Sequence, residues 1–154
     1  MRFCRVPAHG CRLLAKLACT AALALFFMGT GWAEEPLPSP ESIAGTTKVD
    51  AEGFIALVEK IPELTIIDSR ISGDRKQGFI EGSLSLPDID TTCDSLAKVI
   101  PAKSAPTLFY CNGVKCGRSA KAIVIALQCG YSNIYWFRGG FEEWLSKGYP
   151  YLQE

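Results

Sequence analysis

The sequence predicts an α/β domain with a mainly parallel central sheet covered by helices on both faces. Three observations carry this. Short apolar runs, at residues 64–67, 107–110 and 133–137, alternate with segments whose apolar residues recur at helical spacing. The runs stay apolar over consecutive positions, as strands buried on both faces require. Proline and glycine punctuate the intervals, at Pro62, Pro87, Pro101, Pro106, Gly130, Gly139, Gly140 and Gly148.

Taken in order, residues 47–49 read as a strand. Asp50 then caps a helix that carries Phe54, Leu57, Val58 and Ile61 and stops at Pro62. Residues 64–67 form a strand that ends in Asp68-Ser69-Arg70. A polar stretch over 72–77 leads to Gly78-Phe79-Ile80-Glu81-Gly82, and residues 83–86 make a short strand stopped by Pro87. A helix over 93–99 turns Leu96 and Val99 inward, a turn region covers 101–106, and 107–110 is the next buried strand. After a loop over 111–118, Ala120, Ile123, Val124 and Leu127 share one face of a helix capped by Gly130. Residues 133–137 form an aromatic-rich strand, broken by Gly139-Gly140, and Phe141, Trp144 and Leu145 mark a last short helix closed by Gly148. Ligands of such sheets bind at the carboxyl ends of the strands. That rule singles out Asp68-Ser69-Arg70 and the loop beginning at Cys111.

With 154 residues the chain suffices for one domain with its own core, not for two. Residues 1–33 read as a secretory signal peptide. Arg2, Arg5, Arg12 and Lys16 precede an apolar run from Leu17 to Met28, and Gly31-Trp32-Ala33 sets small residues around a cleavage point after Ala33. The apolar run is shorter than the ~20 residues of a membrane span, so no stable membrane association is expected after cleavage. Residues 34–46, rich in Pro, Ser, Glu and Gly, read as a flexible leader, and 47–154 as the domain, placed in the periplasm or outside the cell.

Removing the signal removes His9, the only histidine, so a mechanism that needs a histidine base is excluded. Four of seven cysteines remain: Cys93, Cys111, Cys116 and Cys129. They allow three full pairings in an oxidising compartment, and the sequence does not choose among them. They lack paired Cys-x-x-Cys spacing, and no histidine accompanies them, so neither a metal site nor a cofactor is expected. The whole chain is formally neutral while its first 33 residues hold four cations and no acid, so the remainder carries a net −4. A mildly acidic domain does not suit nucleic acid.

The loop reads Cys111-Asn112-Gly113-Val114-Lys115-Cys116-Gly117-Arg118-Ser119 and feeds a helix. A strand thus delivers a thiol to a glycine-containing loop whose backbone N–H groups can converge on an anion. The helix N-terminus, Lys115 and Arg118 add positive charge. Together these predict a lowered pKa at Cys111, and a cradle for a persulfide or a small oxyanion.

From about Val49 to Tyr151 the chain resembles the rhodanese family of sulfurtransferases. Ile66-Ile67-Asp68-Ser69-Arg70 is similar to the family's strand ending in Asp-x-Arg. Gly78 to Ser83, followed by Leu86-Pro87, is similar to its Gly-His-Ile-x-Gly-Ala…Ile-Pro segment, with Phe79 in place of the histidine. Tyr110-Cys111 and Gly117-Arg118-Ser119 are similar to its active-site loop. Gly130-Tyr131, Ile134-Tyr135, Arg138-Gly139-Gly140-Phe141, Trp144 and Gly148-Tyr149-Pro150 follow its C-terminal signature. The loop departs from the common form: six residues separate Cys111 from Arg118, where four is usual and phosphatase or arsenate-reductase relatives have five. The resemblance implies a persulfide on Cys111, loaded from a small anionic sulfur donor and unloaded to a thiol, cyanide or sulfite. Residues 112–115, Gly117, Arg118, Ser119 and Arg70 would then contact the anion.

Several residues carry two readings. Cys116 is either a resolving thiol for a Cys111 persulfide or a structural thiol. Arg70 either fixes an anionic substrate or pairs with Asp68, whose role reads as structural support. Ser119 either donates to the anion or caps the helix, and Arg138 either lines the pocket rim or faces solvent. Trp136, Phe137, Phe141 and Trp144 read as core. Cys129 reads as buried, and Cys93 has no assigned role. Two functional alternatives accompany sulfur transfer: a thiol–disulfide protein using Cys111 and Cys116, and a non-catalytic binding module.

Overall fold

The computed structural model describes residues 39–153; residues 1–33, read as a signal, residues 34–38, read as leader, and Glu154 lie outside the described residues. The strands are β1 (Thr46–Val49), β2 (Thr65–Asp68), β3 (Leu84–Ser85), β4 (Thr107–Tyr110) and β5 (Ile134–Phe137). They form one sheet in the order β1-β5-β4-β2-β3, every pairing parallel. The helices are α1 (Ala51–Lys60), α2 (Ser72–Arg75), α3 (Cys93–Val99), α4 (Arg118–Gln128) and α5 (Gly140–Ser146), with a 3-10 turn at Asp88–Asp90.

Side chains alternate across a strand, so each central strand feeds two cores. Ile67, Phe109, Ile134 and Trp136 pack with Leu96 and Ile100 of the α3 region and with Ala122, Ile123 and Ala126 of α4. Ile66, Leu108, Tyr110 and Phe137 pack with Ala51 and Phe54 of α1 and with Phe141 and Trp144 of α5. The consecutive apolar residues of the sequence are therefore the two faces of a covered sheet. Two positions on the predicted apolar faces, Val58 and Val124, are exposed instead. The caps act as the residue types dictate. Asp50 accepts from the Gly53 amide, and Thr92 forms a reciprocal capping box with Ser95.

The structure departs from the sequence expectations in three further places. The polar stretch after Arg70 contains the short helix α2, which the pattern does not announce. Residues 39–45, read as leader, are tied to the domain. Arg138 donates to the carbonyls of Pro40 and Ser39 and pairs with Glu41 at 2.7 Å, and Ile43 packs on the core. Arg138 thus holds this segment rather than a pocket rim. Finally, Cys93 and Cys129 form a disulfide with a Cα–Cα distance of 5.5 Å, joining the start of α3 to the end of α4. Cys129 is accordingly a half-buried crosslink, and Cys93 acquires the role the sequence left blank.

Candidate active site

Cys111 follows β4 directly and is buried. The loop leaves it by docking on the start of α5: the Phe141 amide donates to the Cys111 carbonyl at 2.9 Å, and the Glu142 amide to the Asn112 carbonyl at 2.6 Å. Gly140 makes this approach possible. Its φ is +58°, and a Cβ there would run into the Cys111 carbonyl oxygen. The glycine pair that ends β5 therefore serves the loop after β4. A second clamp comes from α2. One Asp74 carboxylate oxygen accepts from Asn112 Nδ2 at 2.9 Å and from Arg118 at 3.0 Å, pinning both ends of the loop. Arg118 also lies 3.7 Å from Asp88, which pairs with Lys121 at 3.3 Å.

Beneath the loop, three buried groups form a chain. Trp136 Nε1 donates to Ser119 Oγ at 3.0 Å, and Ser119 Oγ donates to Cys111 Sγ at 3.3 Å. The indole thereby fixes the hydroxyl so that its proton points at the sulfur. Ser119 does not cap α4; Gly117 occupies the cap position without a side-chain bond.

The two cysteines of the loop touch: the Cys111 thiol donates to the Cys116 carbonyl at 3.1 Å. The Cys116 amide donates to the Gly113 carbonyl at 2.9 Å, the turn that folds the loop back. The expected lowering of the pKa at Cys111 is corrected here. Its hydrogen bond to Cys116, and then burial, push the Cys111 thiol up. Cys116 is lowered to about 6, first by the Cys111 hydrogen bond, then against burial by the amides of Arg118 and Asn112 and the Arg118 charge. The cradle of amides and cation read from the sequence exists, but it faces Cys116 Sγ. Both cysteines are free thiols.

Beside the loop lies a buried ionic hub. The Asp68 carboxylate accepts from Arg70 Nε at 2.9 Å and from its terminal nitrogen at 2.7 Å, from Tyr110 Oη at 2.8 Å and from Arg75 at 3.3 Å. Arg70 also donates to the Gly78 carbonyl and lies over the Phe141 ring. It is 1% exposed. Of its two readings, the geometry provides the ion pair and not a substrate contact. Asp68 holds the ends of β2 and β4 together, as support. Gly113 packs against Glu142, while Val114 and Lys115 are exposed at the tip. Sequence reasoning missed Asp74 and the polar role of Trp136. A hydrophobic-core prior hides the indole N–H, and Asp74 sits in a stretch with no periodic signal.

A family model for the Rhodanese-like domain matches residues 50–147. Among curated proteins, the chain is 29% identical over 97 residues to Rhodanese domain-containing protein CG4456 of Drosophila melanogaster, covering 56% of this chain and 86% of that protein. Among solved structures, BH2092 of Bacillus halodurans superposes with a TM-score of 0.62 at 20% identity, covering 70% of this chain and 77% of that one. The polysulfide-sulfur transferase homodimer of Wolinella succinogenes superposes with a TM-score of 0.57 at 22% identity, covering 72% and 81% respectively. At these identities the structural likeness is one of fold.

Proposed function

Since the chain belongs to the rhodanese-like domain family, its family model spanning residues 50–147, we propose that it transfers sulfane sulfur through a persulfide on Cys111. One observation carries this: a buried thiol at a strand end, aimed at by the fixed Ser119 hydroxyl and bonded to the carbonyl of Cys116, whose own thiol is more acidic. The domain has no histidine, and the pair supplies the missing base. Cys116 as thiolate takes the Cys111 proton, and the Cys111 thiolate attacks the outer sulfur of a small anionic donor such as thiosulfate. The sulfur–sulfur bond of the donor breaks, sulfite leaves with the bonding pair, and Cys111 carries the persulfide anion. Ser119 donates to the Cys111 sulfur through its hydroxyl and its backbone amide, and both favour negative charge there. A thiol, cyanide or sulfite then removes the outer sulfur. The fold shared with a polysulfide-sulfur transferase supports this class of donor.

We place the domain outside the cytoplasm. The disulfide between Cys93 and Cys129 and the signal-like residues 1–33 support this. Fractionation of expressing cells tests it, and chain retained at full length in the cytosol would overturn it.

The central test is sulfite release from thiosulfate with cyanide as acceptor. The native chain should turn over and Cys111→Ser should not. Turnover by Cys111→Ser, or none by the native chain, defeats the proposal.

A further inference from the structure

The loop holds a second thiol that a simple carrier does not require, and its placement gives the sulfur a second exit. We infer that Cys116 displaces the sulfur held on Cys111 as hydrosulfide, closing a Cys111–Cys116 disulfide that an external dithiol reductant reopens. This rests on the sulfur-transfer reading and extends it to a reductive release.

The geometry carries the inference in four ways. The Cys111 thiol already touches Cys116 at its carbonyl, 3.1 Å away. The turn from the Cys116 amide to the Gly113 carbonyl keeps the two residues folded together. Gly113 and Gly117 flank the segment that must shift for the bond to close. The remaining cysteines of the described residues are occupied in the Cys93–Cys129 bridge, so Cys111 and Cys116 have only each other within the domain. Burial adds a reason for an internal nucleophile. The inner sulfur of a Cys111 persulfide sits where Cys111 Sγ now sits, 1% exposed, whereas Cys116 is half-buried against it.

The step balances. After loading, Cys116 carries the proton it took from Cys111. Its sulfur attacks the inner sulfur of the persulfide, a Cys111–Cys116 bond forms, and the bond to the outer sulfur breaks. The outer sulfur leaves with the electron pair and takes the Cys116 proton, departing as hydrosulfide. The sulfane sulfur is reduced by two electrons, and the two cysteine sulfurs are oxidised by the same two. A dithiol returns those electrons by exchange, restoring both thiols. Attack on the outer sulfur would instead move the persulfide to Cys116 and release nothing.

The test is a single turnover without oxygen. The full chain is reduced, freed of reductant and given thiosulfate, and the products are read by intact mass and by hydrosulfide trapped with a bimane reagent. The native chain should release hydrosulfide in proportion to the protein and end lighter by two hydrogens, with Cys111 linked to Cys116 in a peptide map. Cys116→Ser lacks the thiolate that takes the Cys111 proton, so it should load more slowly, although it also lacks the hydrogen bond and charge that push the Cys111 thiol up. Once loaded it should stop at the persulfide, heavier by one sulfur atom on Cys111, with hydrosulfide reduced to background. A native chain that keeps the added sulfur and releases none overturns the inference while leaving sulfur transfer intact. If neither protein gains sulfur nor releases hydrosulfide, sulfur transfer itself fails, and the inference with it. Hydrosulfide release by Cys116→Ser equal to the native chain also overturns it.

Discussion

Replacing Ser119 by alanine separates a packing role from a chemical one. The hydroxyl is fully buried, receives the Trp136 indole proton at 3.0 Å and gives its own to Cys111 Sγ at 3.3 Å. Ser119→Ala removes one small group and strands a buried indole N–H. An unsatisfied buried donor costs about 1–3 kcal/mol, so the urea midpoint should fall by that free energy divided by an unchanged slope. The effect on loading is separate. A hydrogen bond to a charged sulfur contributes about 1.5–3 kcal/mol, which slows persulfide formation by roughly 10- to 100-fold at fixed pH. The assay is the single-turnover rate of sulfite release from thiosulfate beside urea unfolding of the same preparation. Trp136→Phe is the companion, since it keeps the Ser119 hydroxyl while deleting the proton that orients it. Its loading rate should fall less than that of Ser119→Ala. If Ser119→Ala loads within about twofold of the native rate, the Ser119–Cys111 contact is packing and the reasoning is wrong.

Four further outcomes follow from the site and the fold. Cys116 ionises in the folded chain near pH 6 against an ordinary thiol value of 9.0, so alkylation of the reduced chain should rise with a midpoint near 6, and Cys116→Ser should abolish that phase. Between those values the folded state binds fewer protons than the unfolded one at Cys116. The contribution to stability from Cys116 therefore grows as pH rises through this window and is lost as pH falls through 6. Above pH 9 Cys111, held protonated by Cys116 and by burial, reverses the slope, and chemical unfolding across pH checks both signs. Asp68→Asn leaves the buried guanidinium groups of Arg70 and Arg75 facing a neutral amide, and should cost about 3–5 kcal/mol in urea unfolding. Removing the Cys93–Cys129 bridge by double serine substitution opens a loop of sequence separation 36, worth about 4 kcal/mol of chain entropy. A melting temperature unchanged by that double substitution would contradict it.

Much of this was legible from residue order alone. Cys93–Val99, Thr107–Tyr110 and the face of α4, except the exposed Val124, were read where they stand, because caps, apolar runs and helical spacing are local signals. The strand-end position of Cys111 was legible for the same reason. What stayed hidden depends on contacts between residues far apart in sequence. Asp74 clamps a loop 38 residues away, and Gly140 yields space to the Cys111 carbonyl. Trp136 orients a hydroxyl on another element. Arg138 binds Ser39, Pro40 and Glu41 across a sequence separation of 97 to 99 residues. The pairing of Cys93 with Cys129 is of the same kind.

The sequence by itself determined that one thiol ends a strand above a helix N-terminus, in a loop with a second thiol and no histidine. Tertiary structure decided which of the two thiols carries the charge. A cradle of amides and a nearby cation can be inferred from glycines and basic residues, but its direction cannot. Here the loop is bent by the Cys116–Gly113 hydrogen bond and docked on α5, so the Asn112 and Arg118 amides meet Cys116, while burial and a shared hydrogen bond keep the proton on Cys111. The charge of a thiol follows the dipoles and solvent around the sulfur atom, and folding alone fixes where those lie.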